Sequence, residues 1–446
     1  MAQSIIQTST KDPPRSFFSK LRFLGPGFIL SASIVGSGEL IATTVLGAKG
    51  GFITFWVILV SCFVKVAIQL EFGKNAILTG KTLMVSFAKL PGPTFRKGNW
   101  AVWATFILTL LKILQLGGML GGSAIAISML FPQIPIVIWA LILAILLSFL
   151  IYKNYYSIIE KTAILMVAGF TILTFASVLA ISFTPFAFTF LDLMSGLKFE
   201  LPPDLVFIAI GAFGITGVAS DEIIAYTYWC LEKGYATYTG VNDGTEEWQL
   251  RANGWIKIMQ LDAIVAMFIY TIVTAAFYLL GASILYGQRE IPEGNELINA
   301  LASIYTQTLG AEARFAYLTG AFFVLYSSVF ATLAYWSRLF PDIFGQLGWI
   351  DAESLTDRKK WVAILAWIFP CLWVIAYLFV EMPTFMILSG GVVGSVLLLI
   401  VVFAAINFRF HNKFLKTSSG LVSEMMFWIS VAAIASVSVY GIFKLF

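Results

Sequence analysis

Two short runs combine glycines, small hydroxyls and carboxylates in a way that suits binding of a cation or a small polar solute. The first is Gly36-Ser37-Gly38-Glu39, inside GPGFILSASIVGSGELIATTVL. The second is GAFGITGVASDE, from Gly211 to Glu222. Both interrupt apolar stretches of membrane-spanning length, so flexible backbone and a carboxylate fall near the bilayer centre. Hydrocarbon does not tolerate unpaired backbone polar groups, and such breaks persist only where they line a cavity. A pair of them at corresponding places in two halves of a chain points to the solute site of a secondary transporter.

Glu39 begins the second half of the first broken helix, at the positive end of a helix dipole. It would either cap that half-helix or ligate a cation beside the unwound carbonyls. An unpaired acid at that depth is costly, which favours the ligand. Asp221 and Glu222 hold the same position in the second break. Adjacent helical residues point about 100° apart, so one of them is expected to face the cavity, Asp221 by preference, with Ser220 as an alternative cap. Glu39 and Asp221 together would make a hard, all-oxygen metal site suited to Mg²⁺, Ca²⁺ or Mn²⁺. The expected solute-binding surface is Gly36, Ser37, Glu39, Ile215, Thr216, Gly217, Val218 and Asp221. His411, the one histidine, lies in a basic cytoplasmic stretch and contributes nothing to it.

Two lysines complicate a cation site. Lys112 could neutralise a site carboxylate, which would favour a neutral, zwitterionic or anionic solute, or it could snorkel or face a water-filled cavity. Lys65 reads as structural, paired with an acid the sequence does not identify. In span eight, Ser327, Ser328 and Thr332 could hold Na⁺ against carbonyls of the first break, or simply let helices pack closely. Gly117-Gly118 and Gly121-Gly122 read first as close packing. Tyr226, Tyr228 and Trp229 could line the inner vestibule.

These residues need a membrane scaffold. The 446 residues are 59% hydrophobic and 12% charged, with mean hydropathy +0.89; soluble domains carry about 25% charged residues. Eleven apolar runs recur, at 24–46, 51–73, 100–131, 134–152, 162–184, 204–230, 258–286, 313–337, 361–380, 383–407 and 423–445. The third and sixth are long enough to include a tilt or a break. Of the 28 basic residues, Lys49, Lys198, Arg289, Arg314 and Lys444 fall on the outer side and Lys65 and Lys112 within spans. The rest fall on the cytoplasmic side when the amino terminus is placed there. The net charge of +4 therefore follows membrane topology and gives no support to nucleic-acid binding. Cys62, Cys230 and Cys371 are scattered singly, without metal-site spacing. Segment 232–257 is expected to be a loop with one short amphipathic helix. Segment 287–312, with Glu290, Glu293, Glu296 and Glu312, is expected to be a solvated outer loop, with modest attraction of cations towards the mouth as the other reading.

GPGF…GSGE, then WVILVSCFVKVAIQLEFGKNAILTGKTL, then GGSAIAISMLF resemble the first three helices of Nramp metal transporters. The resemblance continues through IAIGAFG in span six and Ser327-Ser328 in span eight. It covers roughly residues 22–440, and its most specific piece is the LTGKTL turn. It implies a LeuT-like fold. The family's first-helix Asp-Pro-Gly-Asn is here Gly36, Ser37, Gly38 and Glu39. Its sixth-helix Met-Pro-His matches Val218, Ala219 and Ser220, and the acids of its third-helix proton route match Leu116 and Met119. The family's substrate is therefore not carried over by the motifs.

The expectation is an all-α integral membrane protein of about eleven transmembrane helices, with broken helices one and six in an inverted five-plus-five repeat. Residues 1–20 form a disordered cytoplasmic arm. Residues 21–446 form one domain, with repeats at 22–185 and 203–408 and an added helix at 423–445, whose end lies outside. The expected function is alternating-access transport of a hard divalent cation in a bacterial inner membrane, without the family's proton coupling and with no cofactor. A carrier of an amino acid or amine, with Na⁺ coupling as an option, is the alternative. A cavity lined by Tyr or Trp near Gly217 would favour it, whereas carbonyls converging on Glu39 would favour the ion. A non-transporting receptor or scaffold on the same fold is a third reading. Enzyme chemistry has no nucleophile or paired-carboxylate motif to stand on.

Overall fold

The computed structural model describes residues 10–36, 38–152, 156–287, 294–351, 354–411 and 420–445. Among these, eight helices are long and apolar enough to cross a bilayer, and Ile136–Tyr152 and Ala168–Ile181 are shorter apolar helices. The first break separates α1 (Pro26–Ile34) from α2 (Thr44–Gly50), with Gly38–Thr43 wound as a wider π-helical coil between them. α3 (Phe55–Thr79) follows. A two-stranded ribbon, Thr94–Phe95 against Gly98–Asn99, then leads into the third span. That long span is two helices, α4 (Trp100–Leu111) and α5 (Ile113–Leu130), jointed at Lys112.

α6 (Ile136–Tyr152) and α7 (Tyr156–Ile181) complete the first half. The second break divides α8 (Val206–Ile215) from α9 (Ser220–Glu232). α10 (Glu246–Leu280), α11 (Gly294–Leu309), α12 (Ala313–Gln346), α13 (Leu355–Val380), α14 (Pro383–His411) and α15 (Leu421–Leu445) follow.

The helices read as lipid-facing from their composition. α6 buries Ala140, Leu143, Ala144, Leu147 and Ser148 and exposes Ile138, Leu141, Ile145 and Phe149. An exposed apolar stripe of that kind belongs against hydrocarbon, and the small buried residues let the neighbouring helix approach. Gly117 and Gly121 of α5 do the same. A Cβ at Gly117 would meet the Trp373 carbonyl at 2.8 Å, and one at Gly121 would overlap the Tyr377 ring. α8 lies along α14 with no room between them, since a Cβ at Gly214 would overlap the Gly391 carbonyl.

Three segments depart from expectation. Residues 294–309 form a helix, because Leu297, Ile298, Leu301, Ala302, Ile304 and Tyr305 recur at helical spacing and are buried; Arg289, Glu290 and Glu293 lie outside the described residues. In 232–257 the short helix is Tyr235–Thr239, but residues from Glu246 onward already belong to α10, started by the Thr245 side-chain cap on the Trp248 N–H. The described part of the arm is pinned, not free. Lys11 N–H donates to the Tyr238 carbonyl at 3.0 Å, Trp255 Nε1 donates to the Lys11 carbonyl at 2.8 Å, and the Lys11 ammonium sits 4.6 Å over the Tyr238 ring. Further along, the Tyr235 hydroxyl donates to Phe23 and Lys233 to Leu24.

Candidate functional site

The two breaks meet face to face. Gly38 comes so near the end of α8 that a Cβ on it would lie 2.7 Å from the Ile215 carbonyl. Gly36 abuts α12, where a Cβ would overlap Ser328 Oγ. Gly217 has φ +59°, the left-handed conformation that glycine adopts without strain, and this directs its N–H inward. That N–H is 3.2 Å from Glu39 Oε1. The Thr274 hydroxyl of α10 is also 3.0 Å from Glu39 Oε1, and its single proton has the Tyr270 carbonyl, at 2.7 Å, as its other acceptor. Glu39 is wholly buried, and its Oε2 has no partner. It spans from the first break to the second. Ser37 lies outside the described residues.

Lys65 is also wholly buried, but its partners are carbonyls and not an acid. Its ammonium donates to the Phe213 carbonyl and, at 2.7 Å, to the Thr216 carbonyl. The last carbonyls of a helix have no intrahelical donors and carry the negative end of the dipole, so a cation is well placed there. Ser61, one turn earlier on α3, places its hydroxyl 3.1 Å from each of the same two oxygens and accepts from the Thr216 hydroxyl at 2.8 Å.

Lys112, at the α4–α5 joint, neither snorkels nor faces open water. Only 1% of its side chain is exposed, and its ammonium pairs with Asp221 Oδ2. Asp221 is therefore a committed ion-pair partner and not the free ligand expected, although Oδ1 keeps no partner. Its neighbour Glu222 shares the cavity with it. A cavity of about 310 Å³, counted with its open mouth, is walled by Ser33 of α1, Asp221, Glu222 and Trp229 of α9, and Thr332 and Tyr335 of α12. It lies on the side of the breaks from which α1 starts and at which α9 ends. The expectation that one acid faces it is corrected: both do, because the first turn of α9 is itself the wall. Glu222 Oε2 has no partner either. Ser220 does not cap α9. Its hydroxyl is buried and unpartnered, and the cap position is Ala219.

Glu39, Glu222 and Lys65 are close enough to act on one another electrostatically, and Lys112 acts on Glu222 and Lys65, as Asp221 does on Glu222. Three carboxyl groups thus stand against two ammonium groups in the protein interior. Among the described residues no three His, Cys, Asp or Glu side chains form a ready-made metal cluster. Val218, Leu116 and Met119 are buried and supply no ionisable side chain. Ser328 donates to the Ser33 carbonyl at 2.8 Å, so it does face the first broken helix, while Ser327 donates to Val324 on its own helix at 3.0 Å. Tyr226 and Tyr228 do not line the cavity. Tyr226 donates to the Met259 carbonyl or to Asp262 at 3.2 Å, and Tyr228 donates to Asp342 at 2.7 Å.

Sequence reasoning passed over Asp262 and Thr274. Asp262 accepts from the Gly25 and Gly27 N–H groups at 2.8 and 2.5 Å and so caps α1 from α10. A lone acid inside an apolar span was the available signal, because burial of such a group demands a partner.

A protein-family model, Natural resistance-associated macrophage protein-like (Nramp), matches residues 27–444. The chain is 25% identical over 296 residues to the divalent metal cation transporter MntH of Caldanaerobacter subterraneus subsp. tengcongensis, an alignment covering 64% of this chain and 65% of that protein, less than two thirds of its length. Among solved structures, a variant of the Eremococcus coleocola manganese transporter superposes with TM-score 0.60 at 13% identity, covering 98% of each chain. MhsT, in complex with L-phenylalanine, superposes with TM-score 0.56 at 15% identity, covering 98% of this chain and 100% of that one. These superpositions establish the LeuT-like transporter fold, and the match across nearly the whole sequence makes this chain a member of the Nramp family.

Proposed function

We propose that the protein carries a hard divalent metal cation, of the Mg²⁺ or Mn²⁺ kind, across a bacterial inner membrane by alternating access. One observation carries this reading. Glu39 Oε2, Asp221 Oδ1 and Glu222 Oε2 are buried carboxylate oxygens without hydrogen-bond partners, all at the facing breaks. Carboxylates accept only, and leaving them unmatched in a low-dielectric interior is costly, so a cation is the natural partner. Oxygen donors without imidazole or thioether favour a hard ion. The MntH relative and the manganese transporter fold support the same cargo class. The cavity opens on one side of the breaks, while α8 and α14 are packed shut at Gly214 and Gly391. That fits one end state of an alternating-access cycle, with the amino terminus cytoplasmic and the carboxy terminus outside. Coupling to protons along α5 is not expected, because Leu116 and Met119 carry no ionisable group.

A second reading has a specific observation in its favour: Trp229 and Tyr335 stand in the same cavity as the two acids, a setting in which an organic ammonium would also be held. Uptake of Mg²⁺ and Mn²⁺ into proteoliposomes with an internal pH dye, for wild type, Glu39→Gln and Glu222→Gln, separates the two. Metal uptake lost in the variants and unaccompanied by acidification supports the metal reading. No metal uptake, with uptake of amines or amino acids instead, supports the second. Absence of any uptake by protein that still binds metal would point to a receptor on a transporter fold.

A further inference from the structure

The end of α8 already holds a cation, and the chain itself supplies it. In broken-helix transporters the C-terminal ends of half-helices and their unwound carbonyls are where coupling cations bind. Here the Phe213 and Thr216 carbonyls both point at the Lys65 ammonium. Lys65 and Ser61 are one turn apart on α3, so the ammonium and the hydroxyl address the same two oxygens from one helix face. The Phe213 ring lies 4.8 Å from the ammonium and adds a cation–π contact. The side chain has no exposure to solvent, so the contact is permanent within this conformation. At the first break the Ser328 hydroxyl is hydrogen-bonded directly to the Ser33 carbonyl.

We propose that Lys65 is a tethered replacement for a coupling cation. Its ammonium fills the monovalent-ion position at the end of α8, so the transport cycle needs no sodium or potassium and the gradient of the cargo alone drives it. The proposal rests on the transporter reading, but it predicts ion binding and stability that are measurable without cargo.

The test compares purified wild type, Lys65→Ala and Lys65→Met in sodium, potassium and choline chloride at constant ionic strength. Melting temperature, ²²Na⁺ binding and Mn²⁺ uptake are read in each. Wild type should melt and transport alike in all three salts and bind no sodium saturably. Lys65→Ala should melt lower in choline, bind sodium or potassium saturably, and recover uptake about tenfold in that salt, as expected for restoring one charged hydrogen-bonded contact. Lys65→Met, whose side chain fills the space without charge, should lose uptake in every salt. Saturable sodium binding or sodium-dependent melting of the wild type would overturn the proposal, and this arm stands even where Lys65→Ala does not fold. Folded Lys65→Met with wild-type uptake in choline would overturn it as well. If the wild type moves no metal, the cargo reading fails, while the binding and melting arms still decide the role of Lys65.

Discussion

Deleting either partner of the Lys112–Asp221 pair should cost stability by unequal amounts, and the asymmetry follows from exposure. Lys112 is 1% exposed and Asp221 13%. Breaking a buried ion pair from one side costs about 3–5 kcal/mol, because the survivor stays charged and dry. Asp221→Asn strands the drier group and belongs at the upper end, about 4–5 kcal/mol. Lys112→Met leaves a carboxylate that already lines the cavity and gains water, so its cost falls at or below about 3 kcal/mol. The double variant, with neither charge, should recover about 2 kcal/mol or more relative to the sum of the single losses. Reversible unfolding in mixed micelles of the four proteins gives the cycle directly. Transport adds a sign test: Lys112→Met removes the competitor for Asp221, so it should bind Mn²⁺ more tightly while being less stable. Additive single losses within about 0.5 kcal/mol, or Asp221→Asn no costlier than Lys112→Met, would refute the pairing argument.

Three further expectations concern how the breaks are positioned. Gly36→Ala drives a methyl group onto Ser328 and should cost about 1–3 kcal/mol of overpacking; the new Cβ would also lie 2.6 Å from Ser328 Cβ, so Ser328→Gly should restore the melting temperature and Ser328→Ala should not. Asp262→Ala removes the acceptor for the Gly25 and Gly27 N–H groups and should cost about 1–2 kcal/mol, as for loss of an N-cap; faster hydrogen exchange confined to the start of α1 is the measurement. Gly214→Ala should hold α8 off α14 and stop transport. In a cysteine-free background, Ser395→Cys, at a position whose hydroxyl now donates to the Ile210 carbonyl, should then become reactive to a membrane-impermeant thiol reagent; continued transport with no labelling would count against the tight contact as a gate.

The breaks were legible because lipid penalises them. A glycine run with a carboxylate at mid-span has few physical explanations, and Gly36–Glu39 and Gly211–Glu222 carried both the fold and the place of the candidate site. What sequence did not reveal is which groups satisfy each other. Lys65 was expected to find an acid, but its partners are carbonyls, which every residue possesses and no residue type signals. Asp221 and Lys112 are 109 positions apart, so their pairing depends on how α9 meets the α4–α5 joint. The acids of segment 287–312 drew attention to charge, and the helical spacing of Leu297, Ile298, Leu301 and Tyr305 was the stronger signal.

The two lysines divide the labour at the second break. Lys65 ties the end of α8 to α3, and Lys112 ties the first turn of α9 to the α4–α5 joint. Between these anchors the backbone passes through Gly217, at φ +59°, whose N–H is held by Glu39 from the opposite break. A cargo cation at the unpartnered Glu39 Oε2 or Asp221 Oδ1 would draw charge from the same carboxylates whose other oxygens hold the Gly217 N–H and Lys112. Binding would therefore loosen the contacts that hold the two halves of the break in register, while the Lys65 contact, involving no acid, stays in place. On this reading the cation would be sensed at the hinge and at α9, and the Lys65 contact would keep the end of α8 with α3. On this arrangement Glu39→Gln should weaken cargo binding while keeping an acceptor for the Gly217 N–H, so its effect should appear in transport and not in the melting temperature. A large loss of stability in Glu39→Gln would show instead that the carboxylate serves mainly to hold the two breaks together.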